Sequence, residues 1–262
     1  EILFEKLSLT PGKKTKTGYS TDAATLEKLK DSHPIVEKLL SYREVEKLRS
    51  TYGEGLLSCV DEDNRIRATF HQTVTRTGRL SSDAPNLHNI PIRTEAGKAF
   101  RKAFIPEKKC SLLVADYNQI ELRCIAHLAD EKELKAAFNE GQDIHTAVAS
   151  RTWGIEPEKI DSAMRNRAKM VSYGLAYGME AYGLAQRLDI SVEEASEILK
   201  AFFTAFPGVK DYMNESIEKA RKKGYTETLL GRRRKIPELL SSNFNIRQAG
   251  ERQAMNAPIQ GL

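Results

Sequence analysis

From about Glu131 to Lys223 the sequence is mostly helical in pattern, broken at Gly141, Gly154, Gly178 and Pro207. Glycine and proline interrupt helices, so the breaks predict several separate helices rather than one long rod. Segments with strand character flank this block. Ile66 to Val74 alternates through Ile66, Ala68, Phe70, Gln72 and Val74, the period of a half-buried strand. Residues 111–115 (Ser-Leu-Leu-Val-Ala) form a short apolar run that reads as a buried strand, with Asp116 at its end. Tyr225 to Leu230, followed by Gly-Arg-Arg-Arg, reads as a short strand or hairpin. Strands on both sides of a large helical insertion predict an α+β fold rather than regular βαβ alternation.

Elsewhere, residues 1–10 are a short amphipathic stretch and 11–20 a polar loop. Residues 21–30 read as a capped helix, and Pro34 opens another that runs to about Tyr52. Residues 75–91 are a long loop rich in Ser, Thr, Asn and Pro. Ile120, Cys124, Ile125 and Leu128 recur at helical spacing, and Phe244 to Met255 is a further helix ended by Pro258.

A chain of 262 residues has room for one large domain or two ordinary ones. At 40% hydrophobic residues it is no disordered chain. No apolar run approaches the ~20 residues of a membrane span, and the N-terminus alternates acidic and basic residues, unlike a signal peptide. The three cysteines show no CxxC spacing, which speaks against a disulfide scaffold or zinc knuckle and for a reducing cytoplasm. Net charge is +5, mild enough that its distribution matters more than its sum. A start at Glu1 and a stop just after Asn-Ala-Pro-Ile-Gln-Gly suggest a segment of a longer protein.

Five stretches carry chemistry. Asp116 at a strand end, with Glu121 five residues on, offers rigid carboxylates suited to a hard cation such as Mg²⁺; Asp116 as a simple helix cap is the other reading. In Met164–Gly178, Arg165, Lys169, Tyr173 and Tyr177 fall four apart, so two cations and two aromatics share one helical face. Such a face grips nucleotide phosphates and stacks a base, or is a solvated basic face beside core tyrosines. The loop Thr75–Ser82 holds Arg79 among hydroxyl groups and leads to Pro-Asn-Leu-His-Asn-Ile-Pro, suited to sugar and phosphate contacts or to turn formation alone. Gly231–Lys235 is a cationic run of the kind that is more often solvated surface. Arg252, Asn256 and Gln260, again four apart, form a polar face fit for a minor groove or for plain solvent. His145 in Gly-Gln-Asp-Ile-His-Thr reads, alone, as a structural histidine.

The order of these motifs is what identifies them. Thr-Gly-Arg-Leu-Ser-Ser, Pro-Asn-Leu-His-Asn-Ile-Pro, Asp-Tyr-Asn-Gln-Ile-Glu-Leu-Arg, Asp-Ile-His-Thr, Arg-Asn-Arg-Ala-Lys-Met-Val-Ser-Tyr-Gly-Leu-Ala-Tyr-Gly, Gly-Arg-Arg-Arg and Asn-Ala-Pro-Ile-Gln-Gly follow one another. Over nearly the whole chain this succession closely resembles the bacterial family A DNA polymerases. The resemblance implies a right-hand fold with an incomplete palm: 1–55 part of the thumb, 56–130 the first part of the palm, 131–240 the fingers, and 241–262 a return to the palm.

It also implies roles. Asp116, with the Tyr117 carbonyl, is similar to a ligand of catalytic Mg²⁺, two ions of which serve the complete enzyme. Glu121 resembles the residue that closes the pocket beneath the sugar and excludes a 2′-OH. Arg165, Lys169 and His145 resemble phosphate-binding residues, and Lys169 a proton donor to leaving pyrophosphate. Gln119, Tyr173 and Tyr177 belong with the nucleotide pocket. Arg79, Asn89, Arg252, Asn256 and Gln260 resemble DNA-contacting residues. The partners implied are primer–template DNA and dNTPs, with no membrane, in a monomer of the bacterial cytoplasm that associates with the nucleoid and serves replication and repair.

Two departures stand out. Many relatives carry Phe at the position of Tyr173, so weak discrimination against dideoxynucleotides is expected. No His-Asp-Glu triplet, the motif of the family's second catalytic aspartate, occurs anywhere in the chain. The isolated 262 residues are therefore expected not to polymerise, because two-metal chemistry needs both carboxylates. A non-catalytic nucleic-acid-binding chain has no need for Asp116, Glu121, Arg165 and Lys169 together. Glu121 speaks against an RNA polymerase, which must admit the 2′-OH.

Overall fold

The computed structural model describes residues 1–92, 94–176 and 178–261. They form two compact units, Glu1–His71 with Ser81–Leu112, and Gln72–Leu80 with Leu113–Leu262.

In the first unit a π-helical turn over Ile2–Lys6 precedes a two-stranded hairpin, β1 (Lys14–Thr15) and β2 (Gly18–Tyr19). The hairpin occupies part of the stretch expected to be a plain polar loop. Gly18, at φ +140°, supplies a conformation that side chains resist. Helix α1 (Ala23–Lys28) starts where Asp22 accepts from the Thr25 N–H at 2.8 Å. Helix α2 (Pro34–Lys47) starts with Pro34 in its first turn, where no N–H is needed. It continues through a π-helical segment, Leu48–Glu54, into the short α3 (Gly55–Leu57). Leu9, Leu26, Leu29 and Val36 bury together between these pieces. Strand β3 (Thr69–His71) pairs antiparallel with β4 (Ser81–Asp83), Phe70 opposite Ser82. The strand expected over 66–74 thus shrinks to three residues, and its partner comes from the expected loop. Phe70 and Val74 are exposed, so no core face rewards a longer ladder. Helix α4 (Glu95–Arg101) is capped by Thr94.

The second unit holds the helical block. Its helices are α5 (Ile120–Leu128), α6 (Lys132–Asn139), α7 (Ile144–Trp153), α8 (Ser162–Ala176), α9 (Ala181–Leu188), α10 (Val192–Ala205) and α11 (Pro207–Lys223). The breaks fall as expected: Gly154 ends α7 at φ +64°, and Pro207 opens α11. Ile125, Ile144, Val148, Val171, Leu184, Ile198, Phe202 and Phe206 meet in one core. Helix α11 has no side-chain cap of its own. Buried Glu131 supplies one, its Oε2 accepting from the Gly208 N–H at 2.9 Å. Strands β5 (Tyr225–Glu227) and β6 (Arg233–Lys235) form the expected hairpin, and α12 (Phe244–Gln260) closes the unit. Among the described residues no helix is long and apolar enough to cross a membrane.

Two expectations fail here. Residues 111–115 form no strand, and Leu113 and Val114 are 92% and 89% exposed. No described strand pairs with them, and an extended run without a ladder partner leaves its N–H and C=O groups to water. Pro258 does not end α12 but lies inside it. The carbonyl left without a helical donor, on Ala254, accepts instead from the Thr226 hydroxyl at 3.3 Å.

Candidate functional site

Helix α8 begins where Asp161 Oδ1 accepts from the Met164 N–H at 2.7 Å. One residue later Arg165 meets Asp143 through two bonds, Nε to Oδ1 at 3.1 Å and Nη2 to Oδ2 at 2.6 Å. Asp143 also caps α7, accepting from the Thr146 N–H at 2.8 Å. The Arg165 guanidinium, and then that backbone bond, hold the Asp143 carboxyl well below the usual range. A bidentate pair of this kind fixes the plane of the guanidinium. One turn on, Lys169 is exposed; a further turn on, Tyr173 is half-buried. Cations and ring share one face, as the spacing predicts.

His145 packs against that face, its ring centroid 5.7 Å from that of Tyr173 at 49°. Only 3% of it is exposed, and Nδ1 has no hydrogen-bond partner. Burial pushes the imidazole pKa down; Arg165 and Lys169 push the same way, and Asp143 opposes them. The ring is therefore neutral at pH 7, a buried neighbour of the two cations rather than a third one. Tyr177 lies outside the described residues.

Asp116 is exposed, and Tyr117 is 81% exposed. The capping alternative for Asp116 fails: Gln119, in the left-handed region at φ 53°, is the residue that opens α5, with no side-chain cap bond. Glu121, half-buried in the first turn, accepts from Arg79 Nη2 at 2.7 Å. An Asp116 carboxylate and a Tyr117 carbonyl are oxygen donors of the kind a hard cation takes. Among the described residues, however, no group of three or more His, Cys, Asp or Glu is placed so that it could hold a metal ion. The donors present do not amount to a complete ion site.

On α12, Arg252 Nη1 lies 3.8 Å from Glu180 Oε1, and Gln248 Nε2 donates to Glu180 Oε2 at 3.2 Å. The side-chain oxygen of Asn256 is buried with no hydrogen-bond partner, and Gln260 is half-buried. Gly178, at φ +64°, sits against this helix: a methyl there would lie 3.2 Å from Arg252 Cγ. The segment after α8 and the α12 face therefore adjoin. Asn89 belongs to the first unit, is exposed, and accepts from the Tyr52 hydroxyl through its backbone carbonyl.

The structure thus joins Arg79 to Glu121, gathers Arg165, His145 and Tyr173, and sets Arg252 beside the end of α8. Residue-type reasoning missed Asp143 and Glu180, the partners of Arg165 and Arg252. Asp143 had a visible signal, an Asp before an apolar helical run; Glu180 had none. The cationic run 231–235 is not one solvated face, because Arg234 turns inward and donates to Gln253 Oε1 at 2.9 Å.

The profile of DNA polymerase family A matches residues 1–262. DNA polymerase I of Mycobacterium bovis is 52% identical over 263 residues, 99% of this chain and 29% of that protein. DNA polymerase I of Bacillus subtilis is 51% identical over 99% of this chain and 30% of its own length. The polymerase domain of Pol1 from M. smegmatis, solved with DNA primer–template and dNTP, superimposes with a TM-score of 0.89 at 50% identity, covering 98% of this chain and 46% of that one. The chain spans about 29% of the mycobacterial relative it matches. It belongs to the family A DNA polymerases, and a divalent-metal requirement is general to that family.

Proposed function

We propose that this member of the family A DNA polymerases supplies the nucleotide-selecting and primer-holding segment of a template-directed 5′→3′ DNA polymerase of replication and repair. Residues 1–55 belong to the thumb, 56–130 to the palm, 131–240 to the fingers, and 241–262 to the palm again. The observation that carries the reading is the α8 face, with Arg165 fixed by Asp143, Lys169 exposed one turn on, and Tyr173 beyond it. Arg165 and Lys169 take the triphosphate oxygens, and the compact ammonium of Lys169 protonates the departing pyrophosphate. Tyr173, with Tyr177 and Gln119, borders the base and sugar. His145, buried and neutral, backs the ring of Tyr173 and keeps it in place.

Glu121 lies beneath the sugar and leaves no room for a 2′-OH. Its pairing with Arg79 holds the carboxylate in position. Arg79, Asn89, Arg252, Asn256 and Gln260 contact the DNA, their N–H groups matched to the acceptors of a minor groove. Positioning and fixed charge do most of this work. Mg²⁺ is the proposed ion, two per complete enzyme, with Asp116 and the Tyr117 carbonyl among its oxygen ligands. The described donors are too few to derive a step through it, and these 262 residues hold no His-Asp-Glu triplet. A monomer working on primer–template DNA with dNTPs in the bacterial cytoplasm follows from the same reading.

The test grafts this segment in place of the matching 29% of the mycobacterial relative and follows primer extension with Mg²⁺ and dNTPs. Extension that falls by about 10²-fold or more in Lys169→Ala, and is lost in Asp116→Ala, is the expected result. Equal extension in both variants and the parent graft would overturn the assignment. Preference for CTP over dCTP would point to an RNA polymerase instead.

A further inference from the structure

Gln248, Arg252, Asn256 and Gln260 stand one turn apart along α12. The last three form the face assigned above to DNA, and Gln248 extends that face by a turn. A carboxylate from another helix lies across its first two members. Glu180 opens α9 at the N-cap position, where a side-chain oxygen can accept from an N–H of the first turn, yet it makes no such bond. Its carboxylate reaches across to α12 instead. Gln248 Nε2 lies 3.2 Å from Oε2 and 3.5 Å from Oε1, and Arg252 Nη1 lies 3.8 Å from Oε1.

A carboxylate that orients an arginine grips it through two short bonds, as Asp143 grips Arg165. Glu180 meets Arg252 through one contact too long for a hydrogen bond. The two side chains are 57% and 38% exposed, and ion pairs in such a setting shift an equilibrium by no more than about fivefold. Arg252 has another support. Its stem lies beside Gly178, where a methyl would stand 3.2 Å from Cγ and 3.3 Å from Cα. The arginine therefore keeps its place without Glu180. What the carboxylate adds is a negative charge on the donors that face nucleic acid, where it competes with the acceptors of a groove and repels phosphates.

We propose that Glu180 is an internal stand-in for nucleic acid, a gate residue whose carboxylate occupies the Gln248 and Arg252 donors until a DNA strand displaces it. The cost falls on every strand that uses these donors. It is recovered only where the DNA supplies acceptors in the carboxylate's place. The inference rests on the reading of Arg252 as a DNA contact, and it adds a residue that lowers affinity rather than raising it.

Anisotropy of a fluorescent primed DNA, titrated with the protein at about 50 mM salt, tests it. Glu180→Gln, which keeps the shape and removes the charge, should bind about twofold to fivefold tighter than the parent. Glu180→Ala should do the same, whereas loss of a merely structural contact would weaken binding. Arg252→Ala should weaken binding, and in that background Glu180→Gln should lose most of its gain. If Arg252→Ala weakens binding but Glu180→Gln and Glu180→Ala bind no tighter than the parent, the gate is overturned and the DNA reading of α12 stands. A gain of equal size with and without Arg252 would reduce the effect to net charge and overturn the gate as well. Binding that Arg252→Ala leaves unchanged, or no binding by the parent, would overturn the DNA reading and the gate together.

Discussion

Thr226 Oγ1 lies 3.3 Å from the carbonyl oxygen of Ala254, one turn before Pro258 in α12. Proline at 258 has no N–H to return to that carbonyl, and both residues at the contact are buried. A buried carbonyl without a donor costs about 1–3 kcal/mol. A hydroxyl from the neighbouring hairpin removes that cost and joins α12, with its Arg252, Asn256 and Gln260 face, to β5. Thr226→Val, which keeps the shape, should destabilise the protein by about 1–2 kcal/mol in urea unfolding, and Thr226→Ser should recover most of it. Pro258→Ala restores the N–H, so in that background the Val substitution should cost much less.

Gly250 reverses an ordinary rule. Glycine to alanine inside a helix usually stabilises by about 1 kcal/mol. A methyl at 250 would instead lie 2.9 Å from the Leu239 backbone nitrogen and 3.1 Å from the Glu238 carbonyl carbon. Backbone cannot step aside as a side chain can. Gly250→Ala should therefore lower stability by about 1–3 kcal/mol, read as a drop in thermal midpoint.

Two groups near the α8 face contribute to the acid limb of stability. The pKa of His145 in the folded protein lies below its ordinary 6.5 because the ring is buried. The unfolded chain then binds the proton more readily, so stability is full above about pH 6.5 and declines as pH falls. Asp143 is likewise lowered, from 3.8, chiefly by Arg165. Its contribution is present above that value and is lost in stronger acid. Urea midpoints measured from pH 7 to pH 5 should fall, and should fall less in His145→Phe. Asp143→Asn keeps a capping side chain but removes the charge, so it should flatten the profile only below about pH 4. A profile between pH 7 and 5 that is unchanged by His145→Phe would contradict the assignment.

At Tyr173 the expectation concerns selectivity rather than stability. Its hydroxyl can replace the hydrogen bond lost with a 3′-OH, so the parent enzyme should accept dideoxynucleotides readily. In the grafted polymerase, Tyr173→Phe should raise the preference for dNTP over ddNTP by roughly 10-fold to 100-fold, the worth of one good hydrogen bond. Equal selectivity in the two would remove the hydroxyl from the account.

Helix ends were legible because glycine, proline and capping residues act locally. Gly154, Pro207 and Asp22 do their work within one turn of themselves, and the helices stop or start where they stand. The α8 face was legible for the same reason, since a four-residue spacing maps directly onto a helix. What failed depended on distant partners. Leu113 and Val114 carry strand-forming side chains, yet a strand exists only where another backbone lies beside it. Pro258 reads as a helix stop until a hydroxyl 32 residues upstream in the chain, roughly one helix and a hairpin away, takes over the missing bond. Asp143 and Glu180 stand far along the chain from Arg165 and Arg252, and no local pattern pairs them.

The bond from Gly208 to Glu131 closes a stretch of chain 77 residues apart at its two ends. Helices α6 to α10 lie between those two ends and share one core with α5, α11 and α12. The bond is therefore a clasp on a stretch that the core already holds, and it ties the N-terminus of α11 to the corner between α5 and α6.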